Sequence, residues 1–280
     1  MSKDFLKDAV CLVTGGAQGI GWATARRLAE AGGTVHVCDI SEEHLRTARE
    51  QAARLLTPER FRFTRCDVSD RGQVEAWCAG ILKEAGRIDV LVNNAAFVRW
   101  QDVVDMSVED VERTMAVGFN ALVYTTKAVL PSMLARGSGH IVNMGSSAGR
   151  VFAGSSSAAY SAMKAAVGGY TQTLQAELAH TPVHVMLVRP GTVAGTDFFG
   201  KHVPSARMPR LADFVPPLAP EELAQALVEG LEHRTLVLDR PRSLGSMYLL
   251  FDLAPGAMRW LLRQGGSARS DFSKAPGRDS

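Results

Sequence analysis

The sequence predicts an α/β fold in which helices cover both faces of a doubly wound parallel sheet, a Rossmann-like architecture in a single domain with a C-terminal helical extension. Three observations predict it. Short apolar runs alternate with longer helical patterns, and a glycine-rich turn joins the first run to the first helix. The chain has 280 residues, 46% of them hydrophobic and 21% charged, which suits one large α/β domain.

The predicted strands are short apolar runs bounded by turn residues, as expected when both faces of a sheet are buried. The stretches between them have helical patterns, and Ser41 has the position of a helix N-cap. Right-handed crossovers then place the strands in one parallel sheet. Strands are expected at residues 9–13, 35–38, 61–66, 88–92, 140–144, 183–188 and 235–238, and helices at residues 19–31, 70–84, 108–134, 158–179 and 221–231, with another beginning at Ser41.

Charge and cysteine usage exclude several classes of protein. The 31 basic residues nearly balance the 29 acidic ones, and a net charge of +2 argues against a nucleic-acid partner. The four cysteines form no CxxC pair and the seven histidines show no metal-ligand spacing, so we predict no catalytic metal and a reducing, cytoplasmic location. No uninterrupted apolar run is long enough to span a bilayer, and the N-terminus shows no secretory signal pattern.

The glycine-rich turn at residues 14–21, Thr-Gly-Gly-Ala-Gln-Gly-Ile-Gly, predicts a dinucleotide site. Glycines let the backbone approach a phosphate closely, and the first N–H groups of the following helix point at a pyrophosphate. An ordinary structural turn is the alternative reading. The predicted cofactor contacts of this turn are Gly15, Gln18, Gly19, Ile20 and Gly21.

Asp39 ends the second predicted strand, one helix and one strand after the glycine-rich turn. A carboxylate there accepts hydrogen bonds from an adenosine ribose 2′-hydroxyl and repels a 2′-phosphate. Gln18 in the turn and Ile40 after the acid supply no cation for such a phosphate. The pattern therefore favours NAD(H) over NADP(H), with Ile40 at the same subsite, and helix capping is the alternative role for Asp39.

A tyrosine and a lysine one helical turn apart form the candidate catalytic pair. Tyr160 and Lys164 are four residues apart on a predicted helix, so their side chains share one face. An ammonium group beside a phenol is expected to lower the tyrosine pKa and allow proton exchange with an alcohol oxygen. Ser147 lies upstream of Tyr160, just after a predicted strand, where its hydroxyl could hold the same oxygen. Ser146 is the neighbouring alternative, but the spacing to Tyr160 favours Ser147.

With these motifs in order, the chain resembles the short-chain dehydrogenase/reductase family over about residues 9–238. The resemblance implies hydride transfer between NAD(H) and an alcohol or carbonyl compound, with Tyr160 as acid/base, Lys164 as ribose ligand and Ser147 as ligand of the substrate oxygen. It also implies a homodimer or homotetramer formed through the helices predicted at 108–134 and 158–179. The further cofactor-lining residues that it implies are Asp67, Val68, Asn93, Asn94, Ala95, Pro190, Gly191 and Val193.

Two positions depart from the family pattern. Counting back from Pro131 to the position where the family usually has asparagine reaches Gly118. Since glycine keeps a backbone carbonyl, activity is expected to survive, and replacing Gly118 by Asn is expected to leave turnover equal or higher. Ala96, where the family often has glycine, is a mild change. Gly118 is also the one feature that favours an alternative function, a non-catalytic dinucleotide-binding sensor on the same fold.

The chain after the catalytic motifs raises the question of the substrate. We divide it into a catalytic domain at residues 1–240 with a proline-rich substrate loop at 191–220, an apolar helical extension at 241–264, and a disordered tail at 265–280. The extension is expected to cover the substrate cleft or a subunit face, to line a pocket for a lipophilic substrate, or to contact a membrane surface through its apolar side and its arginines. Apolar loop residues weakly favour a hydrophobic small molecule; they are Phe198, Phe199, Leu211 and Phe214.

Overall fold

A single parallel sheet forms the centre of the molecule, as the sequence predicts. The computed structural model describes residues 3–151, 157–194 and 217–263. Its strands are β1 (Val10–Thr14), β2 (Thr34–Asp39), β3 (Phe61–Arg65), β4 (Val90–Asn93), β5 (Gly139–Met144), β6 (Val183–Pro190) and β7 (Val237–Arg240). They lie in the order β3-β2-β1-β4-β5-β6-β7, and every neighbouring pair is parallel.

Helices cover both faces of this sheet. The helices are α1 (Gly19–Glu30), α2 (Glu42–Ala52), α3 (Arg71–Ala85), α4 (Val108–Met115), α5 (Ala121–Arg136), α6 (Ala158–Glu177), α7 (Pro220–Glu232), α8 (Leu244–Leu253) and α9 (Pro255–Arg263). Side chains of α1, α2 and α7 enter the hydrophobic core on one face, and those of α3, α5 and α6 pack on the other. The order of the strands reverses between β1 and β4, so a crevice opens at their carboxyl ends, where ligands of doubly wound sheets bind.

The central strands are buried along their whole length, which is why they read as continuous apolar runs. All five residues of β1 and all six of β5 are buried. Leu12, Leu91 and Ile141 are fully inaccessible to solvent. Burying each such side chain stabilises the fold by about 1.5–3 kcal/mol, so the sheet is a rigid base for the loops at its carboxyl edge.

Helix starts follow the polar caps in the sequence. Ser41 Oγ accepts a hydrogen bond from the His44 amide at 3.2 Å, which confirms Ser41 as the N-cap of α2. Asp70 Oδ1 caps α3 in the same way, through the Gln73 amide at 3.1 Å. Each cap satisfies an N–H group that the helix itself leaves free.

The helical stretch predicted at residues 108–134 is found at residues 108–136, but it is not one regular α-helix. A π-helical turn at Ala116–Asn120 separates α4 from α5, with the Ala121 amide bonded to the Ala116 carbonyl. Gly118 lies in the middle of this turn and is buried. Single π turns inside helices are often found at functional sites, and this one faces α6, which carries the candidate catalytic pair.

Two buried histidines, His140 of β5 and His184 of β6, contact each other at the end of the sheet opposite the crevice. Their Nδ1 atoms lie 3.2 Å apart, and His184 Nε2 lies 3.0 Å from the Thr235 carbonyl oxygen. A carbonyl only accepts, so His184 carries its proton on Nε2, and His140 Nδ1 donates to His184 Nδ1. Burial lowers the pKa of His140 to about 3 and also lowers the pKa of His184, so both rings are neutral at neutral pH.

The chain continues past β7 as two helices, α8 and α9, as predicted for the region around Pro255. Leu244 and Tyr248 of α8 and Met258 of α9 are buried together against Val151. Across the residues the structure describes, none of the helices combines the length and apolar character needed to cross a lipid bilayer. The predicted tail at 265–280 and most of the substrate loop lie outside the described residues.

Candidate active site

The glycine-rich turn connects β1 to α1 at the reversal point of the sheet. Gly15 and Gly19 have φ angles of +57° and +53°, in the left-handed region that favours glycine. Gly21 is required for a different reason, since a Cβ there would lie 2.3 Å from the Gly15 carbonyl oxygen. Gln18 is the exposed N-cap of α1 and Ile20 is half-buried beside it. The turn therefore presents backbone and free helix N–H groups, which fit a pyrophosphate.

Asn94 braces this turn from the neighbouring strand. Its Nδ2 donates to the carbonyls of Thr14 at 3.0 Å and Gly15 at 2.9 Å, while its own amide donates to Thr14 Oγ1 at 3.0 Å. The Ala95 amide donates to the same hydroxyl at 3.1 Å. Asn94 and Ala95 thus lie at the predicted cofactor site, and the described contacts of Asn94 hold the loop in shape.

Asn93 faces the interior rather than the crevice. It is 6% exposed, its Nδ2 donates to Asn143 Oδ1 at 2.9 Å, and its Oδ1 accepts from Thr125 Oγ1 at 2.6 Å. These bonds tie β4 to β5 and α5. That Asn93 lines the cofactor stays a prediction that only its backbone can meet, because its side-chain polar atoms are used inside the fold.

Asp39 lies at the end of β2, next to the glycine-rich turn. Its carboxylate accepts from the Ser41 amide at 3.0 Å and weakly from the Ala17 amide at 3.4 Å. It is 8% exposed, whereas Ile40 is 47% exposed. Arg65, opposite Asp39 on β3, donates from Nε to the Ile40 carbonyl at 3.3 Å. The sequence reading missed this cation because it comes from the next strand, far from Asp39 along the chain.

Asp67 and Val68 follow β3 at the same edge of the sheet. Asp67 Oδ1 accepts from the amide and hydroxyl of Ser69 at 2.9 and 2.6 Å. The Asp67 amide donates to Gln73 Oε1 at 2.9 Å. Val68 is 6% exposed and belongs to the apolar core of that face. Both residues are therefore held firmly in the position predicted for an adenine subsite.

Tyr160 lies on the first turn of α6, and hydrogen bonding by the Ser146 side chain acts to lower the pKa of its phenol. Ser146 Oγ also accepts from the Ala148 amide at 3.1 Å, so its O–H is available for the phenol oxygen. Ser147, predicted from its spacing to Tyr160, is the next residue and begins a 3-10 turn, Ser147–Gly149. Ser146, the alternative to Ser147, is therefore the serine that influences the phenol of Tyr160, and the role of Ser147 stays a prediction.

Lys164 lies one turn further along α6 and is 5% exposed. Its Nζ donates to the Met144 carbonyl at 2.6 Å and lies 5.7 Å from the centre of the Tyr160 ring. The predicted shared face is therefore confirmed. Burial lowers the pKa of Lys164 to about 8, because the charged form loses hydration.

The expected depression of the tyrosine pKa is wrong for the protein alone. Burial raises the pKa of Tyr160 to about 12, and the hydrogen bond from Ser146 opposes that rise only in part. Lys164 is itself buried and engaged with a carbonyl, so its charge does not outweigh the loss of hydration. The phenol of Tyr160 is neutral at physiological pH in this arrangement.

Gly118 of the π turn packs directly on α6. A Cβ at this position would lie 2.5 Å from Met163 Sδ and 2.8 Å from Met163 Cγ. Met163 is fully buried and precedes Lys164. The expectation that asparagine would be tolerated at Gly118 is therefore not supported, because Met163 already fills the space beside it.

The end of β6 completes the crevice. The Gly191 amide donates to the Arg240 carbonyl at 2.7 Å, which fixes the turn after Pro190. Val193 is 3% exposed and forms a bridge with Leu218, on the far side of the loop outside the described residues. Pro190, Gly191 and Val193 thus lie at the carboxyl end of β6, and their contact with the nicotinamide stays a prediction.

The C-terminal extension contacts the loop that follows Ser146. Arg150 Nη2 and Asp252 Oδ2 are 2.5 Å apart, and Val151 is buried against Leu244 and Tyr248. Near the other side of the crevice, a Cβ on Gly191 would be 3.8 Å from Leu244. Helix α8 therefore packs beside both the catalytic loop and the predicted nicotinamide subsite.

Comparison with known proteins identifies the class that this fold and site define. The family model for short chain dehydrogenase matches residues 9–206, and the chain belongs to this family of oxidoreductases. It is 36% identical over 227 residues to 3-oxoacyl-acyl-carrier-protein reductase FabG of Thermotoga maritima, covering 80% of this chain and 90% of that protein.

Two solved structures show the same fold. A short chain dehydrogenase/reductase from Burkholderia phymatum in complex with NAD superposes with a TM-score of 0.78 at 24% identity, covering 91% of this chain and 96% of that one. A metagenomic short-chain oxidoreductase in complex with NADP superposes with a TM-score of 0.67 at 29% identity, covering 84% of this chain and 96% of that one. Proteins of this family bind a nicotinamide dinucleotide, and these neighbours include examples of both kinds. Within the described residues, no cluster of three metal-ligating side chains occurs.

Proposed function

We propose that this protein is an NAD(H)-dependent oxidoreductase that interconverts a lipophilic alcohol and the corresponding ketone or aldehyde. The observation that carries the proposal is the cluster of Ser146, Tyr160 and Lys164 beside a glycine-rich turn at the reversal point of the sheet. A phenol, a hydroxyl that bonds it and a buried amine together provide what proton transfer to a carbonyl oxygen requires.

The cofactor site fits a dinucleotide. The absence of a side chain at Gly15 and Gly21 lets the backbone close tightly, and the N-terminus of α1 carries no acidic residue in its first turn. The pyrophosphate would be held by this turn, the adenine ribose by Asp39 and the nicotinamide ribose by Lys164. When bound, the cofactor supplies or accepts the hydride.

The preference for NAD(H) depends on Asp39. A nearly buried carboxylate at the ribose position disfavours an additional phosphate through charge repulsion. Arg65 is a cation near this position that favours NADP(H), and its Nε is engaged with the Ile40 carbonyl. Comparing kcat/KM for the two cofactors tests this choice. Asp39→Ala should reduce the ratio of kcat/KM for NADH to kcat/KM for NADPH, whereas Arg65→Ala should not. A preference of the native enzyme for NADPH would contradict the proposal.

The protonation states favour Tyr160 as a proton donor at neutral pH. With its pKa raised to about 12, the phenol holds its proton and can give it to a carbonyl oxygen while Ser146 hydrogen-bonds the same oxygen. Alcohol oxidation requires the phenolate, whose population grows tenfold per pH unit below that pKa. The rate of oxidation should therefore rise with pH between 7 and 9, whereas carbonyl reduction should not; a flat oxidation profile would contradict this.

The roles of the two serines separate cleanly by mutation. Ser146→Ala removes the group that bonds the phenol, so kcat should fall about 100-fold or more with the cofactor Kd unchanged. Ser147→Ala, one residue away, is the matched control and should stay within a few-fold of the native enzyme. The reverse result would restore the assignment of Ser147.

Tyr160→Phe distinguishes the enzyme from the sensor alternative. An enzyme loses turnover by several orders of magnitude and still binds NADH, which is measured by nucleotide fluorescence. A sensor shows no turnover in either form. The half-buried Tyr160 beside the buried Lys164 favours the enzyme.

Two further parts of the proposal concern the substrate and the assembly. We propose that α8 and α9 cover a pocket for a hydrophobic substrate, since they pack on Val151 beside the catalytic loop. Truncation after Arg240, which keeps β7 whole, should then impair turnover more than NADH binding. The α4–α5 region and α6 are the proposed subunit contacts, and light scattering of the purified protein should give a dimer or tetramer.

A further inference from the structure

A tryptophan faces the ring of Tyr160. Trp100 belongs to the loop between β4 and α4, which begins at Asn94 and Ala95 in the cofactor site. The ring centres of Trp100 and Tyr160 are 5.8 Å apart and the rings are tilted by 45°. No motif in the sequence drew attention to this residue, because it is isolated and its neighbours belong to no regular element.

The loop is fixed at three points, so this placement of Trp100 is a property of the fold. Val98 is 3% exposed. The guanidinium of Arg113 lies 4.4 Å from the centre of the Phe97 ring, and Arg99 Nε lies 3.6 Å from Asp110. Arg113 and Asp110 both belong to α4, which therefore positions the loop.

The surroundings of Trp100 differ from those of the core tryptophans. Trp22 and Trp77 are each 7% exposed and lie in the two main hydrophobic clusters. Trp100 is half-buried and belongs to none of the clusters of buried residues that the described part of the chain forms. Its main described ring contact is Tyr160, so burial in a core does not explain a large aromatic side chain at this position.

We propose that Trp100 determines substrate specificity by forming an aromatic wall against the group attached to the reacting carbon. This inference rests on the proposed function, because the phenol oxygen of Tyr160 fixes where the substrate oxygen lies. The reacting carbon is then one bond from that oxygen, within reach of the indole, whose ring centre is 5.8 Å from that of the phenol. An indole face packs best against a flat or ring-shaped apolar group. The substrate class is therefore cyclic alcohols and ketones, alicyclic or aromatic, in preference to short linear ones.

The test compares a cyclic and a linear alcohol in native and mutant enzymes. The substrates are 1-tetralol and 2-butanol, with NAD⁺ as oxidant, and NADH absorbance is followed. In Trp100→Ala, kcat/KM for 1-tetralol should fall about 10- to 100-fold, mainly through KM, and that for 2-butanol should change less than about threefold. Trp100→Phe, which keeps an aromatic ring, should retain most of the preference. Val104→Ala, in the same loop and 90% exposed, is the matched control and should behave as native.

A binding measurement separates this inference from the proposed activity. Calorimetry of 1-tetralone with the enzyme–NADH complex should show weaker binding in Trp100→Ala by a similar factor. If the native protein oxidises neither alcohol but tetralone binding depends on Trp100, the aromatic wall stands and the proposed activity fails. Equal loss with both alcohols, unchanged kinetics, or no tetralone binding by the native protein would overturn the inference.

Discussion

A methyl group at Gly118 should destabilise the protein by a definite steric mechanism. The added Cβ of Gly118→Ala would lie 2.5, 2.7 and 2.8 Å from Sδ, Cε and Cγ of Met163. Non-bonded heavy atoms prefer separations of about 3.5–4.0 Å, so three atoms must each move by roughly 1 Å. Met163 is fully buried among Leu122, Val167 and Leu187, which leaves little room for that movement. Overpacking of this kind costs about 1–3 kcal/mol.

Urea denaturation measures the effect, and two variants control it. Gly168 lies in α6, the helix that carries Met163, and a Cβ there would meet no atom within 4 Å. Gly168→Ala should therefore stabilise the protein by about 0.5–1 kcal/mol. Met163→Ala alone should cost about 2–5 kcal/mol through the cavity it creates. In the double variant Gly118→Ala/Met163→Ala, the new methyl group occupies part of that cavity. The loss in free energy of unfolding should therefore be smaller, by about 1–3 kcal/mol, than the sum of the losses in the two single variants.

The same experiment has a functional readout. Because Met163 precedes Lys164, displacement of Met163 should also lower kcat in Gly118→Ala, and Met163→Ala should recover part of that loss in the double variant. If Gly118→Ala is as stable as Gly168→Ala, or if the two changes simply add, the steric account is refuted.

Three further predictions concern polar side chains: two are buried, and the third, Asn94, is half-buried. The pKa of His140 is lowered to about 3, so below pH 6.5 the unfolded chain binds a proton that the folded protein excludes. The free energy of unfolding should therefore fall by about 4 kcal/mol between pH 6.5 and 3. Denaturation of His140→Gln measured across this pH range should show a weaker dependence on pH. Thr125→Val removes the donor to Asn93 Oδ1 and should cost about 1–3 kcal/mol, whereas Thr125→Ser should retain most of the stability. Asn94→Ala removes two bonds to the glycine-rich turn and should raise the Kd for NADH about 5- to 20-fold in a fluorescence titration; an unchanged Kd would show that the turn holds its shape without the brace.

Local sequence patterns predict those features of the fold that depend on residues close together in the chain. Buried parallel strands need continuous apolar runs, so the predicted strand at 9–13 matches Val10–Thr14 within one residue at each end. The glycine-rich turn was equally readable, because left-handed φ angles at Gly15 and Gly19 restrict the residue type. The pairing of Tyr160 with Lys164 follows from helix geometry alone.

The remaining features depend on contacts between distant parts of the chain. The π turn at Ala116–Asn120 accompanies packing of Gly118 on Met163, which belongs to a different helix, and no helical periodicity contains that contact. The choice between Ser146 and Ser147 cannot be made from spacing alone, because it depends on how the loop after β5 folds back toward Tyr160. The raised pKa of Tyr160 depends on burial, and burial is a property of the assembled site.

The bridge between Val193 and Leu218 has a consequence for how the enzyme's selectivity can change. The Ala194 amide donates to the Leu218 carbonyl at 3.0 Å, and the Leu218 amide donates to the Thr192 carbonyl at 2.9 Å. The chain enters and leaves the intervening loop at one clamped point beside β6. Insertions, deletions and exchanges within that loop can therefore be absorbed without moving Pro190 or Gly191. We therefore expect exchanges in the proposed substrate loop to alter the range of substrates, as changes at Trp100 should, while recognition of the dinucleotide is retained.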